Sequence, residues 1–276
     1  MSNSITRINI VQVMIQTMNI NRKTTVSEKN KPMNTHRQAA TVVGVLFILA
    51  TVSAMLGLLF FYPPILTGPD YLINGAAHTN QVLLGALMEL VLVCTAIGTA
   101  IGLFPVLRPY GERNALGHLF FRFLEAVVIT IGIVAILSLL TLSQDYVAAA
   151  APNASAYAAA GALLLAVYKW TSVLGPLFFL GINTLMYSYL LYKSKLVPRP
   201  LAVMGLTAAT LVFGYAMLVM FGVAVQGTAP FIVLALPIFA YEMILAGWLI
   251  VKGFNSPAIA SQAAKTSNLA AEPLMP

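Results

Sequence analysis

The sequence predicts an all-α, polytopic membrane helical bundle with six transmembrane helices and both termini in the cytoplasm. Hydrophobic residues make up 59% of the 276 positions and charged residues only 8%, whereas soluble domains carry roughly 25% charged residues. Several runs exceed the ~18 apolar residues that cross a bilayer. A β-barrel would show alternating segments of about ten residues instead, so helical spans are favoured.

A polar, basic leader over residues 1–38 is predicted to lie in the cytoplasm. It holds six Lys or Arg residues against the single acid Glu28. Mixed apolar residues from Ile5 to Ile20 are compatible with a short interfacial helix, and a disordered leader is the alternative. A third reading places the start of translation at Met33, just before the first span.

Six apolar stretches supply the predicted spans, and short polar or proline-containing turns separate most of them. Pro63-Pro64 ends the first span, because proline cannot continue a helix. The spans cover residues 39–62, 82–107, 118–142, 171–192, 201–225 and 231–251. A tail over residues 255–276, rich in Ala, Ser and Pro, is predicted to be disordered.

The connection before the fourth span is the least regular part of the pattern. One helix over residues 157–192 would be about 54 Å long, too long for a ~30 Å hydrocarbon core. We therefore predict a short helix over 157–168 on the outer face. Lys169-Trp170 is typical of an interface anchor, and Gly175-Pro176 is expected to bend the span that follows.

The basic residues predict the orientation. With six spans, thirteen of the fifteen Lys and Arg residues fall on the side of the two termini, one, Lys169, on the other side, and Arg122 inside a span. Cytoplasmic loops carry the excess of Lys and Arg, so both termini are placed in the cytoplasm. A seventh span over 147–168 would move the basic turn after residue 192 outside, which argues against it.

Four charged residues lie inside the predicted spans and form the candidate intramembrane polar cluster: Arg122, Glu125, Glu242 and Glu89. Charges in a span are costly and tend to face a protein interior, so they are functional candidates. On one helix, His118, Arg122 and Glu125 share a face. Arg122 either snorkels to the cytoplasmic interface or pairs with Glu125 or Glu242. Three acids face one arginine, and a desolvated acid without a cation favours its neutral form. Such an acid is either a titrating site that couples function to proton movement or a neutral, hydrogen-bonded residue that contributes to packing alone.

Other features carry less chemistry. Gly98-x-x-x-Gly102 predicts close helix contact. No metal site and no cofactor is expected, since Asp70, His78 and Asp145 lack ligand spacing on one element. Phosphate-loop, H-E-x-x-H and G-x-S-x-G signatures are absent from the sequence. Nucleic-acid binding is not expected, because the basic residues occupy short loops and a leader.

Four segments resemble a known family. They are Arg37-Gln38-Ala39-Ala40 with Gly44 and Leu46, Phe121-Arg122-Phe123-Leu124-Glu125-Ala126, Tyr192-Lys193-Ser194-Lys195-Leu196-Val197-Pro198-Arg199 with Gly205, and Glu242 with Gly247-Trp248-Leu249-Ile250-Val251-Lys252-Gly253. From Arg37 to about Phe254 the chain resembles a prokaryotic membrane family described only as a domain of unknown function, DUF4386. The resemblance implies a six-span bacterial membrane protein, and it brings no accepted activity and no established functional residues.

Three functions remain open. The first is a non-enzymatic protein of the bacterial cytoplasmic membrane that binds or moves a small solute or protons through the polar cluster. The second is an accessory or assembly protein that contacts a partner protein through its helices. The third is a membrane enzyme on a lipid, with a Glu as acid or base. Apart from the lipid bilayer, the sequence identifies no partner.

Overall fold

The computed structural model describes residues 36–149, 154–226 and 229–271, and no strand occurs within those ranges. The helices follow one another in chain order. They are α1 (His36–Phe61), α2 (Pro63–Leu66), α3 (Tyr71–Ala77), α4 (Thr79–Leu107), α5 (Glu112–Ala148), α6 (Ala154–Val173), α7 (Leu180–Ser194), α8 (Arg199–Met220), α9 (Ala229–Val251) and α10 (Ser256–Ala271). The last turn of α1 (Gly57–Phe61) and the join between α6 and α7 (Leu174–Phe179) are π-helical.

Five of these helical segments are long and apolar enough to cross a membrane. They are His36–Phe61, Thr79–Tyr110, Glu112–Ala148, Ala154–Ser194 and Arg199–Met220. A sixth is added if Leu236–Val251 and Ser256–Gln262, which meet at 79°, are counted as one bent span. The predicted all-α, multi-span fold class is therefore confirmed, with five to six candidate spans in the described part of the chain.

Contacts between helix ends show which ends of the long helices lie together. At one end, Nη2 of Arg37 donates to the carbonyl oxygens of Ile250 and Val251, at 2.9 and 3.0 Å, so α1 begins where α9 ends. At the other end, the rings of Tyr62 and Tyr168 pack edge to face with centroids 5.8 Å apart. We call these the Arg37 end and the Asp70 end. Which of them faces the cytoplasm stays a prediction.

Helix α5 and the continuous helix formed by α6 and α7 extend further than predicted toward the Asp70 end. Ala154–Ser194 is one helical segment of 41 residues, so the separate surface helix over 157–168 is wrong. The rings of Tyr146 and Tyr157 pack edge to face with centroids 5.5 Å apart, and Ser143 Oγ donates to the Leu72 carbonyl of α3. Packing of α5, α6 and α3 on one another stabilises this extension. At Gly175-Pro176, where a bend was expected, the helix widens into the π-helical segment.

The carboxyl-terminal region is helical where disorder was predicted. Helix α10 spans Ser256–Ala271, so the predicted tail over 255–276 is wrong there, and residues 272–276 lie outside the described part. Tyr110 Oη donates to the Ala258 carbonyl at 3.1 Å, and Gln262 Nε2 donates to the Pro109 carbonyl at 3.0 Å. These bonds hold α10 across the Arg37 end. Of the predicted leader, residues 1–35 likewise lie outside the described ranges, and the last three begin α1.

Small residues bring α4 against α1, as the G-x-x-x-G spacing predicts. A Cβ atom on Gly98 would lie 2.9 Å from Leu46 Cδ1, and one on Gly102 would lie 2.6 Å from Val43 Cγ2. Both distances are shorter than real Cβ contacts, so a larger residue at either position would force the Leu46 or Val43 side chain to shift. The close packing of α1 on α4 helps to enclose the polar side chains described next.

Candidate functional site: a buried polar cluster

Arg122 and Glu125 form an ion pair inside the bundle. Nη1 of Arg122 lies 3.1 Å from Oε2 and 3.2 Å from Oε1 of Glu125, and the two residues are 3% and 2% exposed. Nε of Arg122 donates to the Ala96 carbonyl of α4 at 3.3 Å. The i, i+3 spacing on α5 allows this direct contact. Arg122 therefore points into the bundle and does not snorkel to the interface.

Helix α7 supplies a further donor to Glu125. Asn183 is fully buried, and its Nδ2 donates to Glu125 Oε2 at 2.5 Å and to the Phe179 carbonyl at 2.9 Å. Phe179 is the last residue of the π-helical segment. π-helical turns recur at functional sites in helices. The segment thus places Asn183 against the carboxylate.

Glu242 of α9 lies beside the Arg122–Glu125 pair without touching it. It is 9% exposed, and Thr51 Oγ1 of α1 donates to its Oε2 at 3.2 Å. The preceding residue, Tyr241, stacks on Tyr187 with ring centroids 6.2 Å apart. No Lys, Arg or His nitrogen among the described residues lies within 4 Å of the Glu242 carboxylate. One guanidinium therefore shares this region with two carboxyl groups.

His118 and Tyr187 are buried beside the ion pair with polar atoms that make no well-aligned hydrogen bond among the described residues. Each is 1% exposed, and their ring centroids are 5.0 Å apart. Both His118 ring nitrogens and the Tyr187 hydroxyl make no hydrogen bond in good geometry with any described residue. Burying a polar group without a partner costs about 1–3 kcal/mol by protein mutational data.

Glu89 lies apart from the cluster, nearer the Asp70 end. Its Oε2 accepts a hydrogen bond from Tyr62 Oη at 2.9 Å, and its Oε1 accepts one from Tyr168 Oη at 3.2 Å. Glu89 is seven residues from Ala96 on α4, which is about 10 Å along the helix axis. The structure thus brings three of the four predicted residues together and leaves Glu89 with two tyrosines in place of a cation.

Sequence reasoning missed the residues that complete the cluster. Asn183, Thr184, Tyr187 and Ser188 are all buried on α7. Their i, i+1, i+4, i+5 spacing is a polar stripe on one helix face, and this stripe was a detectable signal within an apolar span. Thr51 had no comparable signal, since a lone threonine in a span usually bonds its own helix. No group of three His, Cys, Asp or Glu residues that could hold a metal ion occurs in the part of the chain that the structure describes.

A protein-family model described as "Domain of unknown function (DUF4386)" matches residues 42–253. The chain belongs to the DUF4386 family. The family assignment made from four sequence segments is therefore confirmed, while the prokaryotic origin stays a prediction. No curated protein and no solved structure matches this DUF4386 protein. The matched residues include every member of the polar cluster, and the family description assigns no activity to any of them.

Proposed function

We propose that this DUF4386 protein binds a small polar solute in the polar cluster and couples that binding to the movement of a proton. The observation that carries the proposal is the count of buried charges. Among the described residues one buried guanidinium, Arg122, stands against two buried carboxyl groups, Glu125 and Glu242. With both carboxyl groups ionised the region would hold one uncompensated negative charge. Burying an unpaired charge costs several kcal/mol, so a proton or a cationic group is needed for neutrality.

The buried polar atoms of His118 and Tyr187, which lack well-aligned hydrogen bonds within the described part of the chain, support a binding role over a purely structural one. A packing cluster would satisfy its buried polar groups internally, as the Ser188–Tyr241 pair does at 2.9 Å. The imidazole and the phenol together offer both donors and acceptors. A solute in contact with them would lie one helical turn from Arg122.

Location supports the same proposal. Intramembrane ionisable groups that face a bundle interior mark solute and proton pathways in membrane proteins. The basic residues gathered at the Arg37 end favour that end as the cytoplasmic one. We therefore place the protein in the bacterial cytoplasmic membrane as a non-enzymatic, multi-pass protein.

The test is solute-driven proton flux in liposomes that contain the purified protein and a trapped pH-sensitive dye. Amino acids, dicarboxylates, amines and sugars are added in turn to the outside. We expect at least one of these classes to drive a proton flux in the wild type, and we expect Glu242→Gln to abolish that flux. Glu242→Gln keeps the shape and removes the titrating group, so the helix packing is retained.

The matched control is Glu112→Gln, which removes an exposed carboxylate from the start of α5 and should leave the flux unchanged. If no class of solute separates the wild type from Glu242→Gln, the proposal is wrong. A lower yield of folded Glu242→Gln protein, with an unchanged flux per molecule, would instead favour the accessory or assembly role.

A further inference from the structure

A second site lies at the Arg37 end, well outside the polar cluster. A pocket of about 610 Å³ opens between the α7–α8 turn and the break between α9 and α10. Its lining includes Lys195 and Arg199 from the first turn, and Trp248 and Lys252 from the end of α9. No carboxylate lines it among the described residues.

Hydrogen bonds between the two chain reversals hold the pocket in shape. The backbone nitrogen of Asn255 donates to the Leu196 carbonyl at 2.8 Å, and its Nδ2 donates to the Lys195 carbonyl at 3.2 Å. Lys195 itself adopts a left-handed conformation with φ of 58°. Because both turns are joined through Asn255, the cations that they carry are presented on a preformed surface.

The three cations of the pocket have no anionic partner. The side chains of Lys195 and Lys252 make no hydrogen bond or ion pair with any described residue, and Arg199 only lies over the Tyr192 ring, 5.4 Å from its centroid. Arg37, by contrast, donates hydrogen bonds to the last carbonyl groups of α9. A concave surface with three like charges and no counter-charge attracts anions, and Arg and Lys are the usual ligands of phosphate.

We propose that this pocket binds the phosphate headgroup of an anionic phospholipid. The pocket lies at the end of membrane-spanning helices, which is where lipid headgroups lie. Ile244 and Val251 are 52% and 67% exposed, on the face of α9 that points away from the bundle. Trp248 is between them at i+4, so the three side chains form one apolar stripe. An acyl chain can follow this stripe while its phosphate contacts Lys195, Arg199 and Lys252.

Trp248 provides a reporter inside the pocket. The chain has two tryptophans, and the Trp170→Phe variant leaves Trp248 as the single one. In nanodiscs, bromine-labelled phosphatidylglycerol should quench Trp248 at a lower mole fraction than bromine-labelled phosphatidylcholine. Juxtamembrane cations contribute about 1 kcal/mol each to anionic-lipid binding, and each 1.4 kcal/mol is a factor of ten in affinity. Arg199→Gln with Lys252→Gln should therefore weaken the phosphatidylglycerol preference roughly thirtyfold.

Arg113→Gln with Lys193→Gln is the matched control, since both residues are exposed at the same end and neither lines the pocket. We expect less than a twofold change in this control. Equal weakening in the two double variants would overturn the proposal, because general surface charge would then explain the preference. Equal quenching by the two lipids would also overturn it. Displacement of phosphatidylglycerol by inorganic phosphate, but not by chloride of equal ionic strength, would replace the lipid by a free phosphate-bearing ligand.

Discussion

Arg122 and Glu125 lie three residues apart on α5, and Nη1 of Arg122 contacts both carboxylate oxygens of Glu125, at 3.1 and 3.2 Å. Both side chains are nearly inaccessible to solvent. Such a pair gains little net stability over apolar residues of the same volume, because desolvation offsets the attraction. Removal of one partner is different, since it leaves a buried charge alone. We therefore expect a single substitution in the pair to lower the stability of the protein much more than substitution of both residues by apolar ones.

We expect Arg122→Leu to destabilise the protein by about 3–5 kcal/mol, as for other buried charges that lose a partner. In Arg122→Leu with Glu125→Leu, much of that loss should be recovered, because neither charge remains. The measurement is the free energy of unfolding in mixed micelles as denaturing detergent is added. The exposed Arg108–Glu112 pair, at 2.8 Å, is the control, and Glu112→Gln should cost only about 0–1 kcal/mol. Additive effects at residues 122 and 125 would contradict this prediction.

The hydrogen bonds that Tyr62 and Tyr168 donate to Glu89 should each contribute to the stability of the fold, independently of the polar cluster. Tyr62→Phe and Tyr168→Phe each delete one hydroxyl that donates to the carboxyl group and keep the ring. Each should cost about 1–3 kcal/mol in unfolding free energy, because a buried acceptor loses a donor. Tyr71→Phe is the control, since its hydroxyl makes only a 3.5 Å contact with the Ala158 carbonyl. A loss as large in Tyr71→Phe would show that the effect does not depend on Glu89.

Gly205 of α8 is required by the Ser188–Tyr241 pair. A Cβ atom there would collide with the Tyr241 ring and approach Ser188 Oγ to 2.5 Å. We expect Gly205→Ala to lower the melting temperature, since overpacking of this kind costs about 1–3 kcal/mol. Gly247→Ala on α9 makes the same chemical change where nothing lies within 4 Å, and it should stabilise by about 0.5–1 kcal/mol through helix propensity. Equal shifts in the two variants would contradict this account.

The orientation of the bundle is testable with single cysteines. In a Cys94→Ser background, Asp70→Cys and Lys193→Cys place one thiol at each end, because both positions are exposed. A membrane-impermeant maleimide applied to intact cells should label the cysteine at 70 and not the one at 193. Labelling of both positions after lysis is the control for reactivity. The reverse pattern would place the Arg37 end outside the cell.

The membrane class, the helical content and most spans followed from the sequence because they depend on local composition. A run of apolar residues must be helical in hydrocarbon, since each backbone polar group needs an internal partner. The sequence-based boundaries were wrong where contacts between helices, and not the bilayer, stabilise the helical structure. Tyr146 and Tyr157 pack together beyond the expected membrane edge, and Tyr110 holds α10 where composition predicted disorder.

The sequence by itself determined that Arg122, Glu125, Glu242 and Glu89 lie in apolar helical stretches and form a candidate polar cluster, because hydrocarbon solvates charge poorly. Only the tertiary structure decided which groups meet. It joined Glu125 to Arg122 and Asn183, gave Thr51 to Glu242 and gave two tyrosines to Glu89. Those contacts depend on how α1, α4, α5, α6, α7 and α9 rotate against one another. Such rotation is set by packing between residues far apart in the chain, which no local pattern encodes.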